Sequence, residues 1–501
     1  MDKSVSKWIT GLVLLGALSL ISACGSGGGG GNNQQPTYRV GGVVSGLAGN
    51  GLILQNKSGD DLHITTNGSF TFITQLSTGA TYSVTVKTHP SSPNQVCTAS
   101  NNTGSILTSN ISDVSIVCST ITYSVGGVVS GLTGSLVLQN NGADNITLLS
   151  NGSFTFSTQI ADSGGYMVSV LNHPTDQECL VTSGTGTVSG GNISTISIAC
   201  GLDTRKFVYI ANTNENTVSI LFSGSTISTV KKIAVGAGPN DIAVDNAKKK
   251  VYVACKNSDI LSVIDMLSSS VVDTIPVGAR PEGVAINTND NTIYVSNWND
   301  ATVSVITTSG SYSIVKNISV GGSPDYIHIN PTTNRAYVSN YGSGTVSVID
   351  TVSRTNVATI SGVGGGTTGN AIDAVKERLY VVSSMGGSVS IVSTVTNSIL
   401  STITVGGAGA GGIALNIATN RAYVTDGSSG LHVLDTTLGS EKELSTINVG
   451  SAACANAFHA IVDRVYVANC FGDSVSVIDT LTETVIDTIT VGAFPSGVGV
   501  P

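Results

Sequence analysis

The chain has 501 residues, 31 Asp plus Glu against 22 Lys plus Arg, and a net charge of −9. Removing residues 1–23, whose Lys3, Lys7 and Asp2 sum to +1, leaves −10, and an acidic surface with no basic stripe repels phosphate backbones and excludes nucleic acid as a partner. Charged residues make up only 11% and aromatic ones 5%, with 60 glycines, which suits an all-β chain rich in turns and excludes long salt-bridged helices.

Residues 1–23 read as an export signal: Lys3 and Lys7, an apolar run from Trp8 to Ile21, then Ser22 and Ala23 before Cys24. The run is short for a membrane span. Ile21-Ser22-Ala23-Cys24 resembles the bacterial lipobox, which implies cleavage before Cys24 and diacylglyceryl modification of its thiol; the competing reading is an ordinary signal peptide with a chance cysteine. Residues 24–37, Gly- and Asn-rich, have the composition of a flexible tether between a lipid anchor and a folded domain. Gly25 after the cysteine resembles outer-membrane sorting in a host with two membranes.

Residues 38–119 and 120–201 are a tandem repeat. YRVGGVVSGL at 38–47 returns as YSVGGVVSGL at 123–132, and NGSFTF at 67–72 returns at 151–156. Short alternating strands separated by NG, SG and TG turns predict two small antiparallel β-sandwiches of immunoglobulin-like type. Cys97 and Cys118 in the first recur as Cys179 and Cys200 in the second, and an even pair per small exported domain predicts one disulfide each.

From residue 202 to 501 the chain repeats differently. An apolar residue, Tyr, then Val or Ile returns at Tyr209, Tyr252, Tyr294, Tyr337, Tyr380, Tyr423 and Tyr466, with spacings of 43, 42, 43, 43, 43 and 43. That period is the signature of a propeller blade. Each repeat predicts four strands: an inner one of small residues (GPNDIAV at 238–244, RPEGVAI at 280–286, SPDYIHI at 323–329, AGGIAL at 410–415), the tyrosine strand, an alternating third strand, and an outer strand ending in Val-Gly. The region begins on a tyrosine strand at Phe207 and ends on an inner strand, PSGVGV at 495–500. Pairing these ends closes a seven-bladed β-propeller and removes an exposed edge.

VYIAN, VYVAC, IYVSN, AYVSN, LYVVS, AYVTD and VYVAN resemble the YVTN-type β-propeller repeats of bacterial and archaeal surface and periplasmic proteins. The resemblance covers residues 205–501 and implies fold rather than task, since such propellers are similar to lactonase-like enzymes, quinoproteins and plain binding scaffolds alike.

Motifs of known chemistry are scarce. G-x-G-x-x-G occurs at 364–369 and 407–412, in the turn before an inner strand rather than between a strand and a helix, which disfavours dinucleotide binding. The turn NTNDNT at 287–292 suits Asx-turn chemistry better than calcium. His63, His89, His173, His328, His432 and His459 share no metal-ligand spacing, and no cofactor is expected. Cys454 and Cys470 fall at neighbouring strand ends and form a candidate third disulfide, leaving Cys255 as a buried thiol.

The informative residues are those that depart from the repeat. At the third position of the inner strand, usually Gly, stand Asp241 and Tyr326; two positions on, usually Ala, stands His328. Trp298 and Tyr341 follow the second strand where other repeats carry Thr, Lys, Ser or Gly, and the third repeat adds Arg280 and Glu282. All are expected on one face around the channel mouth, as a ligand patch or as plugs between blades. The favoured reading is a lipid-anchored, exported binding scaffold at the outer membrane, on its surface or periplasmic side, for a protein, glycan or small-molecule ligand. The alternative is an exported lactonase-like or quinoprotein-like enzyme, for which Asp241, Glu282, Arg280, Asp325 and His328 form no recognisable catalytic set.

Overall fold

A computed structural model describes residues 35–406, 409 and 411–501; the signal segment, Cys24 and most of the tether lie outside them. The described residues are all-β, with a single 3-10 turn at Thr204–Lys206, and none of their helices is long and apolar enough to cross a membrane. They form two compact units. One comprises residues up to Val125 with Thr158–Tyr166 and Gly186–Ile193; the other comprises Gly126–Ser157, Met167–Thr185 and Ser194–Pro501.

In the first repeat, one four-stranded sheet runs in the order Gly68–Thr71, Val40–Ser45, Ile111–Thr120, Gln95–Ser100, and a second in the order Asp60–Ile64, Leu52–Asn56, Thr81–Thr88, Thr103–Ser105. Alternate residues Val40, Leu52, Leu54, Val84, Val114 and Ile116 are buried between them, as period-two strands packed on one face require. One pairing departs from the antiparallel expectation. Val40–Ser45 lies parallel to Ile111–Thr120, because first and last strands of a unit can meet in parallel when the rest of the chain serves as the crossover. The repeated Gly-Gly belongs to that contact: a Cβ on Gly42 would fall 1.8 Å from the Val114 carbonyl oxygen. The second repeat has the same strand order in its corresponding sheets. Cys97 faces Cys118 and Cys179 faces Cys200 across adjacent antiparallel strands, and both pairs are disulfide-bonded.

The described residues of 207–499 form seven four-stranded antiparallel sheets, numbered here from the first. Sheets two to seven follow chain order, their inner strands being Pro239–Asp245, Pro281–Asn287, Pro324–Asn330, Thr367–Asp373, Ile413–Asn416 and Ala453–His459. Sheet one takes Phe207–Asn212, Thr217–Ser223 and Ile227–Ala234 from the start of the region and Pro495–Gly499 from the end of the chain, with Tyr209 opposite Gly499 and Ile210 opposite Val498. The inner strands neighbour one another in cyclic order, and Pro495–Gly499 touches both Ala453–His459 and Pro239–Asp245. This is an all-β architecture of propeller type.

The tyrosine strands are buried on both faces because each lies between two sheets. Every repeat tyrosine is fully buried and packs onto the next sheet: Tyr252 against Ile293 and Val295, Tyr294 against Ala336 and Val338, and finally Tyr466 against Val208 and Ile210 of sheet one. Burying each such ring contributes on the order of 2 kcal/mol. A second device recurs at the end of the tyrosine strand. In sheets one, three, four and seven, an Asn side-chain amide donates to two hydroxyls on the third strand: Asn212 to Thr217 and Ser219, Asn297 to Thr302 and Ser304, Asn340 to Thr345 and Ser347, Asn469 to Ser474 and Ser476. Gly278, Gly321, Gly450 and Gly492, each following an outer strand, seat against the clasp of the next sheet; a Cβ on Gly278 would lie 2.5 Å from the Asn297 side-chain carbon.

Candidate functional site

Inner strands run from the loop that follows an outer strand to the turn that leads into a tyrosine strand. The loops holding Arg280, Trp298 and Tyr341 therefore share one face. The opposite face is tied to the second repeat within the same compact unit: Asp176 accepts from Lys206 Nζ at 2.8 Å and from Ser225 N and Oγ, and Lys249 Nζ lies 3.4 Å from Glu178. Burial opposes ionisation of Asp176, yet these donors hold its pKa at about 2.

On the loop face the structure joins four of the predicted residues. The Trp298 and Tyr341 rings lie 5.2 Å apart, tilted by 33°, and the Arg280 guanidinium sits 4.7 Å above the indole. Trp298 N–H donates to the Arg280 carbonyl, which fixes the two loops in register. Arg280 is held from its other side by buried Glu282 at 2.7 Å, and Lys256 approaches the same carboxylate at 3.7 Å. The cluster thus joins a carboxylate, a guanidinium, an indole and a phenol, with the aromatic pair half-buried.

Asp241, Tyr326 and His328 are placed differently from the expectation. They line the central channel, a cavity of about 680 Å³, because alternate inner-strand residues point at the axis rather than at the loop face. Their link to the loop cluster is electrostatic: the Glu282 charge is felt at Asp241, Asp325 and Tyr326. Enclosure by protein pushes the Asp241 carboxyl up to about 6, although Val284 N–H donates to it at 2.9 Å. Burial, with Glu282 and Asp241 adding to it, raises Asp325 well above the carboxylate range, and burial raises Tyr326 likewise. Enclosure lowers His328 below the ordinary imidazole value even though channel solvent reaches the ring.

Two channel residues escaped sequence reasoning. Asn370 and Asn456 occupy the fourth inner-strand position, where other repeats carry Ile242, Val284, Ile327, Ile413 and Val498; the signal was a polar residue in an apolar column. Asn370 binds His328 Nδ1 at 3.0 Å, and Asn456 donates to the Tyr423 carbonyl. Exposed Phe471 and Met385 on the loop face were missed as well; Phe471 packs edge-on against Phe494 at 5.6 Å.

The remaining candidates have local roles. His89 and His173 accept from Cys97 N–H and Cys179 N–H, each at 3.0 Å. His432 takes the place of the clasp serine in sheet six, 2.7 Å from Glu443 and 3.7 Å from Asp426. Among the described residues no group of three His, Cys, Asp or Glu is placed to hold a metal ion. The 287–292 turn is an Asx turn, with Asn289 N–H donating to the Asn287 side chain. The glycine-rich segment at 364–369 runs into the inner strand Thr367–Asp373, and part of the one at 407–412 lies outside the described residues. Cys454 and Cys470 are bonded, with Cα atoms 6.2 Å apart, and Cys255 is a buried free thiol. Three disulfides fit an exported or oxidising setting.

No protein-family model matches the chain, and no curated protein sequence matches it significantly. Solved structures do. A functionally unknown protein from Desulfotomaculum acetoxidans aligns at 14% identity and a TM-score of 0.52, covering 59% of this chain and 98% of that one. A protein from Lactobacillus plantarum aligns at 16% and 0.52, covering 58% and 98%. Hydrazine synthase from Kuenenia stuttgartiensis aligns at 19% and 0.49, covering 55% and 92%. At the level of the first two, the likeness is one of fold.

Proposed function

We propose that this chain is an exported lipoprotein, anchored through Cys24 to the outer membrane, whose seven-bladed propeller of YVTN-type repeats is a binding module at the cell envelope. In this reading the C-terminal strand closes the first blade, and two small immunoglobulin-like sandwiches stand between anchor and propeller. The observation that carries it is the Arg280, Trp298 and Tyr341 stack, built on the face turned away from the contacts of Asp176 and Glu178. Fixed aromatic faces flanked by a guanidinium are the anchors that recognition surfaces use, supplying contact area at low entropic cost. The enzyme reading draws less support, since Asp241 accepts from a backbone N–H and His328 is bonded to an amide, an arrangement with no nucleophile and base in contact.

The test joins place and partner. Cys24→Ala should release the protein from membranes, and protease added to intact cells should digest the wild-type propeller if it is displayed outside. Binding of the full-length protein to immobilised envelope polysaccharides and envelope proteins should fall at least about tenfold in Trp298→Ala and Tyr341→Ala with thermal stability kept. Sedimentation of the Cys24 variant with membranes would defeat the anchor, and undiminished binding by both aromatic variants would defeat the loop face.

A further inference from the structure

The channel wall is chemically uneven. Where inner strands turn side chains to the axis, the residue is Gly or Ala at nearly every place, as at Gly369, Gly412, Ala285 and Ala371, and this leaves the cavity of about 680 Å³. Among the described residues, sheets two and four put ionisable or aromatic polar groups at these places, Asp241, Tyr326 and His328, while the lining asparagines Asn370 and Asn456 stand at the intervening position.

The imidazole is pre-set. Asn370 uses its amide NH2 on Ser339 Oγ at 2.8 Å and the Tyr337 carbonyl at 3.3 Å, so the atom it presents to His328 is its carbonyl oxygen. A neutral His328 then carries its proton on Nδ1 and leaves Nε2 as a lone-pair acceptor for the cavity. The charge around Asp241 is also settled. Of the nearby cations, Arg280 and Lys256 are both engaged by Glu282; their charges are felt at Asp325, while no cation is among the groups that shift Asp241. The cavity thus offers an uncompensated carboxylate, a phenol ring and a fixed nitrogen acceptor, and its polarity favours positive charge.

We propose that this channel is a binding site for a small organic ammonium compound, its charged nitrogen meeting Asp241 beside the Tyr326 ring and a second N–H or O–H of the ligand donating to His328 Nε2. The site is independent of the loop-face reading, because none of Arg280, Trp298 and Tyr341 lines the cavity.

Titration calorimetry on the full chain tests it with glucosamine and ethanolamine, against glucose and ethylene glycol as neutral counterparts of the same shape. Saturable binding is expected for the amines alone. Asp241→Asn should weaken it at least about tenfold, the scale of losing one partner of an enclosed charge pair. His328→Ala, which installs the residue that other repeats carry at this position and so preserves the fold, should also weaken it. Trp298→Ala should leave it unchanged. Failure of both amines to bind, equal binding of the neutral compounds, or full affinity retained in Asp241→Asn and His328→Ala would each overturn the proposal, whatever becomes of the loop face.

Discussion

The tandem repeats and the propeller-type region solve one problem in different ways. Both are built from strands of a few residues whose sheets bury little surface individually. In the tandem repeats the solution is covalent: a disulfide joins adjacent strands, Cys97 to Cys118 and Cys179 to Cys200, each spanning 21 residues of sequence. In the propeller-type region it is cyclic: each sheet buries its tyrosine against the next, and Pro495–Gly499 pairs with Phe207–Asn212 so that no sheet faces solvent on both sides. A small core needs a staple, whereas seven interlocking sheets distribute the same task along the chain.

The largest test of that contrast is removal of residues 495–501. It exposes the edge of sheet one and both flanking inner strands, and it should abolish most of the ~5–15 kcal/mol expected of a folded domain. An unchanged melting temperature would refute the role of the chain ends. Replacing Cys97 and Cys118 together by Ser should cost the first tandem repeat about 2–4 kcal/mol, and two-transition calorimetry should show the loss there and not in the region that follows. Equal shifts in both transitions would mean that the staple is not local.

His459 sharpens the comparison through pH. It ends the inner strand of sheet seven, where other sheets carry Asp245, Asn287, Asn330, Asp373 and Asn416, and it is fully buried. Loss of hydration is the main cause that lowers its pKa to about 4 from the ordinary 6.5. The native state therefore resists protonation that the unfolded chain accepts, and stability is lost as pH falls from about 6.5 to 4, by about 3 kcal/mol at full effect. His459→Asn should remove that component of acid sensitivity; an identical pH profile in denaturant unfolding would show that His459 is hydrated in solution. The smallest effect belongs to the clasp. Asn340→Ala breaks two buried hydrogen bonds and should cost about 1–3 kcal/mol, with similar losses at Asn297 and Asn469.

Periodicity made the strands legible, because a two-residue alternation and a 43-residue return are imposed locally by pleat and turn. The Asn clasp was present in the sequence as an Asn followed by hydroxyl residues five and seven positions on, yet its purpose was invisible until strand pairing brought them together. The loop cluster was legible as departures from the repeat at Arg280, Trp298 and Tyr341. Asn370 was not, since its contact with His328 joins two different sheets and nothing in the spacing along the chain points to it.

The sequence by itself determined the all-β class, the two repeat periods, the cysteine pairs and which residues break the pattern, because each is a property of spacing along the chain. Only the tertiary structure decided that Asp241, Tyr326 and His328 face a channel while Arg280, Trp298 and Tyr341 stack on a face, that Val40–Ser45 runs parallel to its partner, and that Glu282 takes both neighbouring cations. Those are relations between residues of different strands, and their direction is set by sheet register and by what already occupies the space between sheets.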